Sequence, residues 1–185
     1  MNIGIDKIGF ATAQYMLNMD DLAESRDVDP DKYSKGLLLN NLSITPVNDD
    51  IVTLGASAAK TILNDQDKED IDMVIVATES SVDQSKAAAT WIHHLLGIQP
   101  FARSIEMKEA CYSATAALDY ARLHVQKHPE SKVLVIAADV ARYGANTPGE
   151  PTQGAGSIAM LISKDPRIML LNDNGRGRFE VHNPC

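Results

Sequence analysis

Cys111 and Glu79 are the residues of this chain whose types and settings point to chemistry. Cys111 lies in Glu106-Met-Lys-Glu-Ala-Cys-Tyr-Ser-Ala-Thr-Ala-Ala-Leu118, where a strand-like stretch (residues 103–107) runs into a helix-like one. A cysteine on the first turn of a helix meets the positive end of the macrodipole and unpaired backbone N–H groups. Both favour thiolate over thiol. Thiolate is the nucleophilic form, so the setting predicts covalent catalysis. A lone free cysteine is by default a small buried hydrophobe, and a lone Glu79 is by default a solvated loop carboxylate. Their company decides.

The elements that must position them read as follows. Residues 3–13 form a first strand with a glycine interruption, and residues 20–26 a short helix with acidic residues in its first turn. Residues 35–46 read as a loop. Residues 49–64 form a helix with Ile51, Leu54, Ala58 and Ile62 at helical spacing, and residues 66–72 a charged turn. Met73-Val-Ile-Val-Ala77 and Val133-Leu-Val-Ile-Ala-Ala138 are short, continuously apolar runs, as in strands covered on both faces. Ser85 is placed to cap a helix that Gly97 closes. Residues 101–107 form the next strand, 111–128 the next helix, 141–153 a Gly/Pro/Asn loop and 154–162 a further strand. Residues 167–171 are a candidate last strand.

Strands alternate with helices from residue 49 onward, which predicts an α/β layer fold around a mostly parallel sheet. In such sheets reactive groups gather at the carboxyl ends of strands. Three ends carry polar residues here: Thr78-Glu79-Ser80, Glu109-Ala110-Cys111, and Asp139 followed by Tyr143 and the loop to Thr152. Gly154-Ala-Gly156 leads into a strand and lacks the third glycine of a dinucleotide fingerprint, so it reads as a tight turn.

Composition narrows the classes. The chain has 185 residues, 44% hydrophobic and 23% charged, with net charge −8, ordinary values for one globular domain. No basic patch suggests nucleic acid, and no apolar stretch is long enough to span a bilayer. The first residues lack the build of a signal peptide, which predicts a cytoplasmic protein with reduced thiols. Two cysteines make no disulfide framework, and no Cys/His cluster has zinc spacing. His124 and His128 read as a solvated helix edge.

Several segments together resemble hydroxymethylglutaryl-CoA synthases of the bacterial mevalonate-pathway type, within the thiolase superfamily. They are Gly4-Ile-Asp-Lys-Ile8, Asp29-Pro-Asp-Lys-Tyr33, Val76-Ala-Thr-Glu-Ser-Ser81, residues 97–104, Lys108-Glu-Ala-Cys-Tyr112, Ala137-Ala-Asp139 with Tyr143, and Glu150-Pro-Thr-Gln-Gly-Ala-Gly156. They keep order and spacing from residue 3 to about 172. The Thr-Glu-Ser and Glu-Ala-Cys-Tyr blocks together are specific, because other branches of the superfamily share the cysteine but usually lack the glutamate.

The resemblance implies the N-terminal half of a layered αβαβα, thiolase-like architecture with a mostly parallel mixed sheet. It implies that Cys111 takes an acetyl group from acetyl-CoA and that Glu79 removes a proton from the acetyl methyl. The carbon nucleophile then attacks the ketone of acetoacetyl-CoA, and hydrolysis releases the product. Tyr143, Thr152 and Gly154 would line the acyl pocket, with Ala110 beside the nucleophile, and Asp29 matches a position that touches CoA. CoA thioesters are the substrates and no cofactor or metal is implied. The full-length family is homodimeric and about twice this long, and its second half supplies a histidine. None of the five histidines here lies in that histidine's motif, so net condensation by this chain alone is not expected. A half of such a fold is expected to expose apolar surface. Residues 175–185 form a Gly/Arg-rich tail unlike the family's continuation, after a matching unit at 1–174. Two other readings stay open at this point: a decarboxylating ketoacyl synthase of the same superfamily, and a non-catalytic CoA-binding half.

Overall fold

The computed structural model describes residues 1–172; the tail at 175–185, with Cys185 and His182, lies outside the described residues. Two sheets organise the chain. The larger has six strands in the order β5-β4-β6-β7-β1-β8, comprising β1 (Ile3–Thr12), β4 (Ile71–Ala77), β5 (Arg103–Met107), β6 (Lys132–Val140), β7 (Ala155–Lys164) and β8 (Met169–Leu170). β5, β4 and β6 are mutually parallel, while the β6–β7, β7–β1 and β1–β8 pairings are antiparallel. Four of the six strands (β5, β4, β6 and β1) therefore run the same way, the mixed but mostly parallel sheet expected from the sequence.

The apolar runs form the centre of this sheet because burial on both faces leaves them no polar side. Residues 73–77 and 133–136 are all 2% exposed or less. One face packs Val74, Val76, Leu134 and Ile136 against α2 (Ile51–Lys60) and α4 (Ala88–Leu96). The other packs Met73, Ile75, Val133 and Val135 against Ala117, Ala121 and Val125 of α5 (Ser113–Lys127). α2 comes so close to its neighbours that a Cβ on Gly55 would stand 2.7 Å from Ile92 Cδ1. Toward its β1 edge, the α5 face of the sheet leaves Phe10 and Ile158, which pair across β1 and β7, 73% and 44% exposed. The outer face of α5 adds exposed Tyr120 and Leu123, so apolar surface is open on this side as the sequence led us to expect.

Several local expectations are corrected. Residues 35–46 are not simply a loop: after a π-helical turn at Lys32–Gly36 they supply β3 (Asn41–Ile44), which pairs antiparallel with β2 (Tyr15–Asn18). Neither four-residue strand has a periodic signature long enough to read. With α1 (Met19–Ser25) they enclose a small cluster of Met19, Leu22, Ala23, Tyr33 and Leu42. The charged turn at 66–72 is a short helix, α3 (Asp65–Asp70), running directly into β4. Asn64 and Asp67 cap it reciprocally, and buried Asp67 also accepts from Lys132 Nζ at 2.9 Å. Ser85 does not cap α4, which starts only at Ala88; Glu106 of β5 accepts the Ala88 N–H at 2.7 Å instead. His124 is not a solvated edge: it is 9% exposed, its Nε2 lies 3.0 Å from Asp72, and Asp72 also accepts the Ser131 hydroxyl at 2.8 Å. His128 is exposed, as read.

Candidate active site

Register brings the site together. Ala77 of β4 stands level with Met107 of β5 on one side and Ala137 of β6 on the other. β4 and β5 thus end in line, and Glu79 and Cys111 fall just past those ends. β6 runs on to Val140, which puts Asp139 in the last pairs of its ladder beside them, inside the strand rather than after it as the sequence suggested. Cys111 Sγ lies 3.5 Å from Glu79 Oε1, hydrogen-bond distance for sulfur.

Cys111 is not on the first turn of α5. The helix begins at Ser113 with Tyr112 as its N-cap residue. The cause is Ala110, whose φ of 45° puts it in the left-handed region and turns the chain sharply between strand and helix. Ser113 locks the turn: its hydroxyl donates to the Ala110 carbonyl at 2.8 Å and accepts the Glu109 N–H at 2.7 Å. The turn leaves Cys111 exposed, with its thiol directed at the carboxylate rather than into the core.

Glu79 is held by its backbone. Asp139 Oδ1 accepts the Glu79 N–H at 2.7 Å, the Ser80 N–H at 3.1 Å, the Thr78 hydroxyl at 2.9 Å and the Ser80 hydroxyl at 2.8 Å. Ser80 Oγ in turn accepts the Val140 N–H at 2.9 Å, which closes the network onto β6. From the β5 side, Glu106 accepts the Ser81 hydroxyl. Two carboxylates, one on each strand flanking β4, therefore fix the loop that carries Glu79. The sequence marked Asp139 as a polar strand end; its place as acceptor for this loop depends on the β4–β6 register. Glu106 and Arg26, which meets Glu150 below, carried no signal in the sequence.

Tyr143 belongs to the same field. The Glu79 carboxylate foremost, then partial burial, then Cys111 and Asp139 raise its phenol above the ordinary value. Tyr143 also lines, with Glu79, Ser80 and Asp139, an open cavity of about 550 Å³ at the start of α2. Thr152 and Gly154 lie in other walls. Thr152 faces a cavity of about 530 Å³ shared with Arg26, Lys32, Tyr33 and Glu150, and Gly154 one of about 230 Å³ beside Leu22 and Leu42. Asp29 is exposed, its carboxylate turned back onto the Asp31 N–H at 2.9 Å. Its neighbour Val28 lines the 530 Å³ cavity. The structure thus gathers Cys111, Ala110, Glu79 and Tyr143 in one place and puts Thr152, Gly154 and Asp29 along adjoining surfaces. Among the described residues no cluster of three or more His, Cys, Asp or Glu could hold a metal ion, and no helix is long and apolar enough to cross a membrane.

Known proteins align with this arrangement. The chain is 57% identical over 174 residues to a hydroxymethylglutaryl-CoA synthase of Enterococcus faecalis, covering 94% of this chain and 45% of that protein. It is 31% identical to a polyketide biosynthesis 3-hydroxy-3-methylglutaryl-ACP synthase of Bacillus subtilis, covering 100% of this chain and 48% of that one. A crystal structure of an HMG-CoA synthase complexed with CoA superimposes with a TM-score of 0.92 at 71% identity, over 94% of this chain and 45% of that one. The chain spans about half the length of the relatives it matches. The family described as "Hydroxymethylglutaryl-coenzyme A synthase N terminal" matches residues 1–167. With a thiolase-like α/β sheet, a matched N-terminal half and the cysteine–glutamate pair at level strand ends, this chain belongs to the hydroxymethylglutaryl-CoA synthase family.

Proposed function

We propose that this chain carries the acetyl-accepting and proton-abstracting half of a hydroxymethylglutaryl-CoA synthase. The observation that carries the reading is the 3.5 Å approach of Cys111 Sγ to Glu79 Oε1 on a shared strand-end shelf. The Cys111 sulfur attacks the thioester carbonyl of acetyl-CoA; the acetyl–sulfur bond to CoA breaks and the CoA thiol leaves. The Cys111 N–H is the donor we assign to the oxygen as its charge grows. Glu79 then takes a proton from the acetyl methyl, a weak acid that needs its base within about 3 Å and poorly solvated. The resulting carbon attacks the ketone of acetoacetyl-CoA, and water releases the product from Cys111. Tyr143, Thr152 and Gly154 line the path of the acyl group, and Asp29 stands where the CoA carrier enters. CoA rather than an acyl carrier protein is favoured by the higher identity to the Enterococcus faecalis relative, 57% against 31%. A cytoplasmic, homodimeric enzyme of the mevalonate route to isoprenoids completes the reading.

The test is intact-protein mass spectrometry after incubation with acetyl-CoA. The protein is expected to gain one acetyl group, and Cys111→Ala none. A gain that persists in Cys111→Ala overturns the assignment of the nucleophile. Malonyl-CoA in place of acetyl-CoA is expected to leave the mass unchanged; labelling by malonyl-CoA with loss of carbon dioxide would favour a ketoacyl synthase.

A further inference from the structure

The loop between β6 and β7 carries Tyr143 near one end and Thr152 near the other, and it is closed on itself. The Ala141 N–H donates to the Gly154 carbonyl at 2.9 Å, and the Tyr143 N–H to the Gln153 side-chain oxygen at 3.0 Å. Gly149 packs so tightly that a Cβ there would stand 2.8 Å from Tyr143 Cβ. At the centre of the loop is Glu150, only 7% exposed. Its carboxylate accepts Arg26 Nε at 2.8 Å, Arg26 Nη2 at 2.7 Å and the Asn146 N–H at 2.9 Å.

Arg26 comes from 124 residues away, at the C-cap of α1. It belongs to the unit built on β2 and β3, whose sheet is separate from the six-stranded one. The 530 Å³ cavity therefore has two walls of different origin. Arg26, Lys32 and Tyr33 come from the α1 unit; Thr147, Glu150 and Thr152 come from the loop. Glu150 also lines the 230 Å³ cavity behind it, so it forms the partition between the two spaces. A two-pronged guanidinium–carboxylate pair fixes orientation as well as distance. Removing the cation leaves a nearly buried carboxylate without its partner, and the loop must open to hydrate it.

We propose that Arg26 and Glu150 are positioning residues: their ion pair seats the Tyr143–Thr152 loop against the α1 unit. The pair thereby sets the width of the cavity that takes the carrier arm of the thioester and the stance of Tyr143 beside Glu79. The carrier-arm part rests on the function proposed above. The pair touches no reacting atom; it acts through the loop.

The experiment compares Arg26→Met and Arg26→Lys with the unaltered protein. It reads hydrogen exchange at residues 143–153, CoA affinity by calorimetry, and alkylation of Cys111 by iodoacetamide, which needs no carrier cavity. In Arg26→Met the loop amides are expected to exchange faster while those of β4 and β6 do not change. CoA affinity is expected to fall about tenfold, the scale of effect a displaced binding wall produces. Alkylation is expected to stay within about twofold, because Cys111 is positioned by the sheet and by Ser113. Arg26→Lys keeps the charge but not the fork and is expected to fall between, and it serves as the reading variant where Arg26→Met does not fold. Unchanged loop exchange, or unchanged CoA affinity, overturns the proposal, as does an equal loss in alkylation, which would mark a general loss of fold. Unaltered protein that binds CoA but leaves Cys111 unacetylated sinks the proposed function and spares the clamp. Acetylation with CoA affinity unmoved in Arg26→Met sinks the clamp and spares the function.

Discussion

Glu79 and Tyr143 face the same chemistry, yet different forces hold them. Glu79 follows β4, whose side chains from 73 to 77 are buried on both faces, each contributing about 1.5–3 kcal/mol for the larger ones. Its loop is then pinned by Asp139, itself at the end of the equally buried β6. Tyr143 sits on a loop whose ties are a few polar bonds and one long-range ion pair to a unit with a five-residue apolar cluster. Elements fixed by a shared core open only when the whole domain unfolds, whereas regions fixed by isolated polar contacts open locally. The difference teaches a division of labour. The proposed nucleophile and base are placed by the cooperative sheet, while the wall that would meet varied parts of a substrate is placed by contacts that can be released separately.

The largest test of that division is chemical. Glu79→Gln is expected to slow deuterium exchange at the acetyl methyl of the Cys111-acetylated protein by about 10²–10⁴-fold while leaving the unfolding midpoint nearly unmoved; a comparable loss of stability would mean that Glu79 is structural. Next, Leu134→Ala is expected to cost about 2–5 kcal/mol in denaturant unfolding, because Leu134 of β6 is fully buried between the sheet and helices α2 and α4. Leu42→Ala, in the small cluster, is expected to speed exchange in β2 and β3 without an equal global cost. Equal effects of the two would break the comparison. Asp139→Asn removes a carboxylate that accepts four hydrogen bonds, and a loss of about 1.5–3 kcal/mol is expected. Faster exchange at the 78–80 amides would report it.

A pH titration separates the regions further. The Arg26 fork foremost, helped by the Asn146 N–H, holds the Glu150 carboxyl at about 2, against an ordinary value of 4.5. A depressed acid contributes stability above its unfolded value and loses it on protonation. The loop is thus expected to be held fully above about pH 4.5 and released as pH falls from there toward 2. Exchange at 143–153 measured across that window checks it, with Glu150→Gln removing the dependence. The smallest expected effect is Ala110→Gly. It relieves a left-handed alanine but adds freedom to the unfolded chain, so stability should change by about 1 kcal/mol or less. A loss well beyond that would mean the Ala110 methyl packs against something the turn requires.

What the sequence determined by itself was local. Continuous apolar runs marked β4 and β6, helical spacing marked α2, and Gly97, at φ 65°, closed α4 as read. Polar residues following apolar runs marked Glu79, Cys111 and Asp139 as strand-end groups, because periodicity and turn chemistry are written within a few residues of one another. Tertiary structure decided the rest. It set strands β4, β5 and β6 level, so that Glu79 and Cys111 meet rather than merely share an edge. It delayed α5 by two residues through the Ala110 turn, gave the cap of α4 to Glu106 instead of Ser85, and buried His124 on Asp72. It also paired β2 with β3 and carried Arg26 to Glu150 across 124 residues. Those partners are chosen by which surfaces can be buried together, and one exposed-looking charge in a sequence carries no mark of the distant opposite charge that will be buried with it.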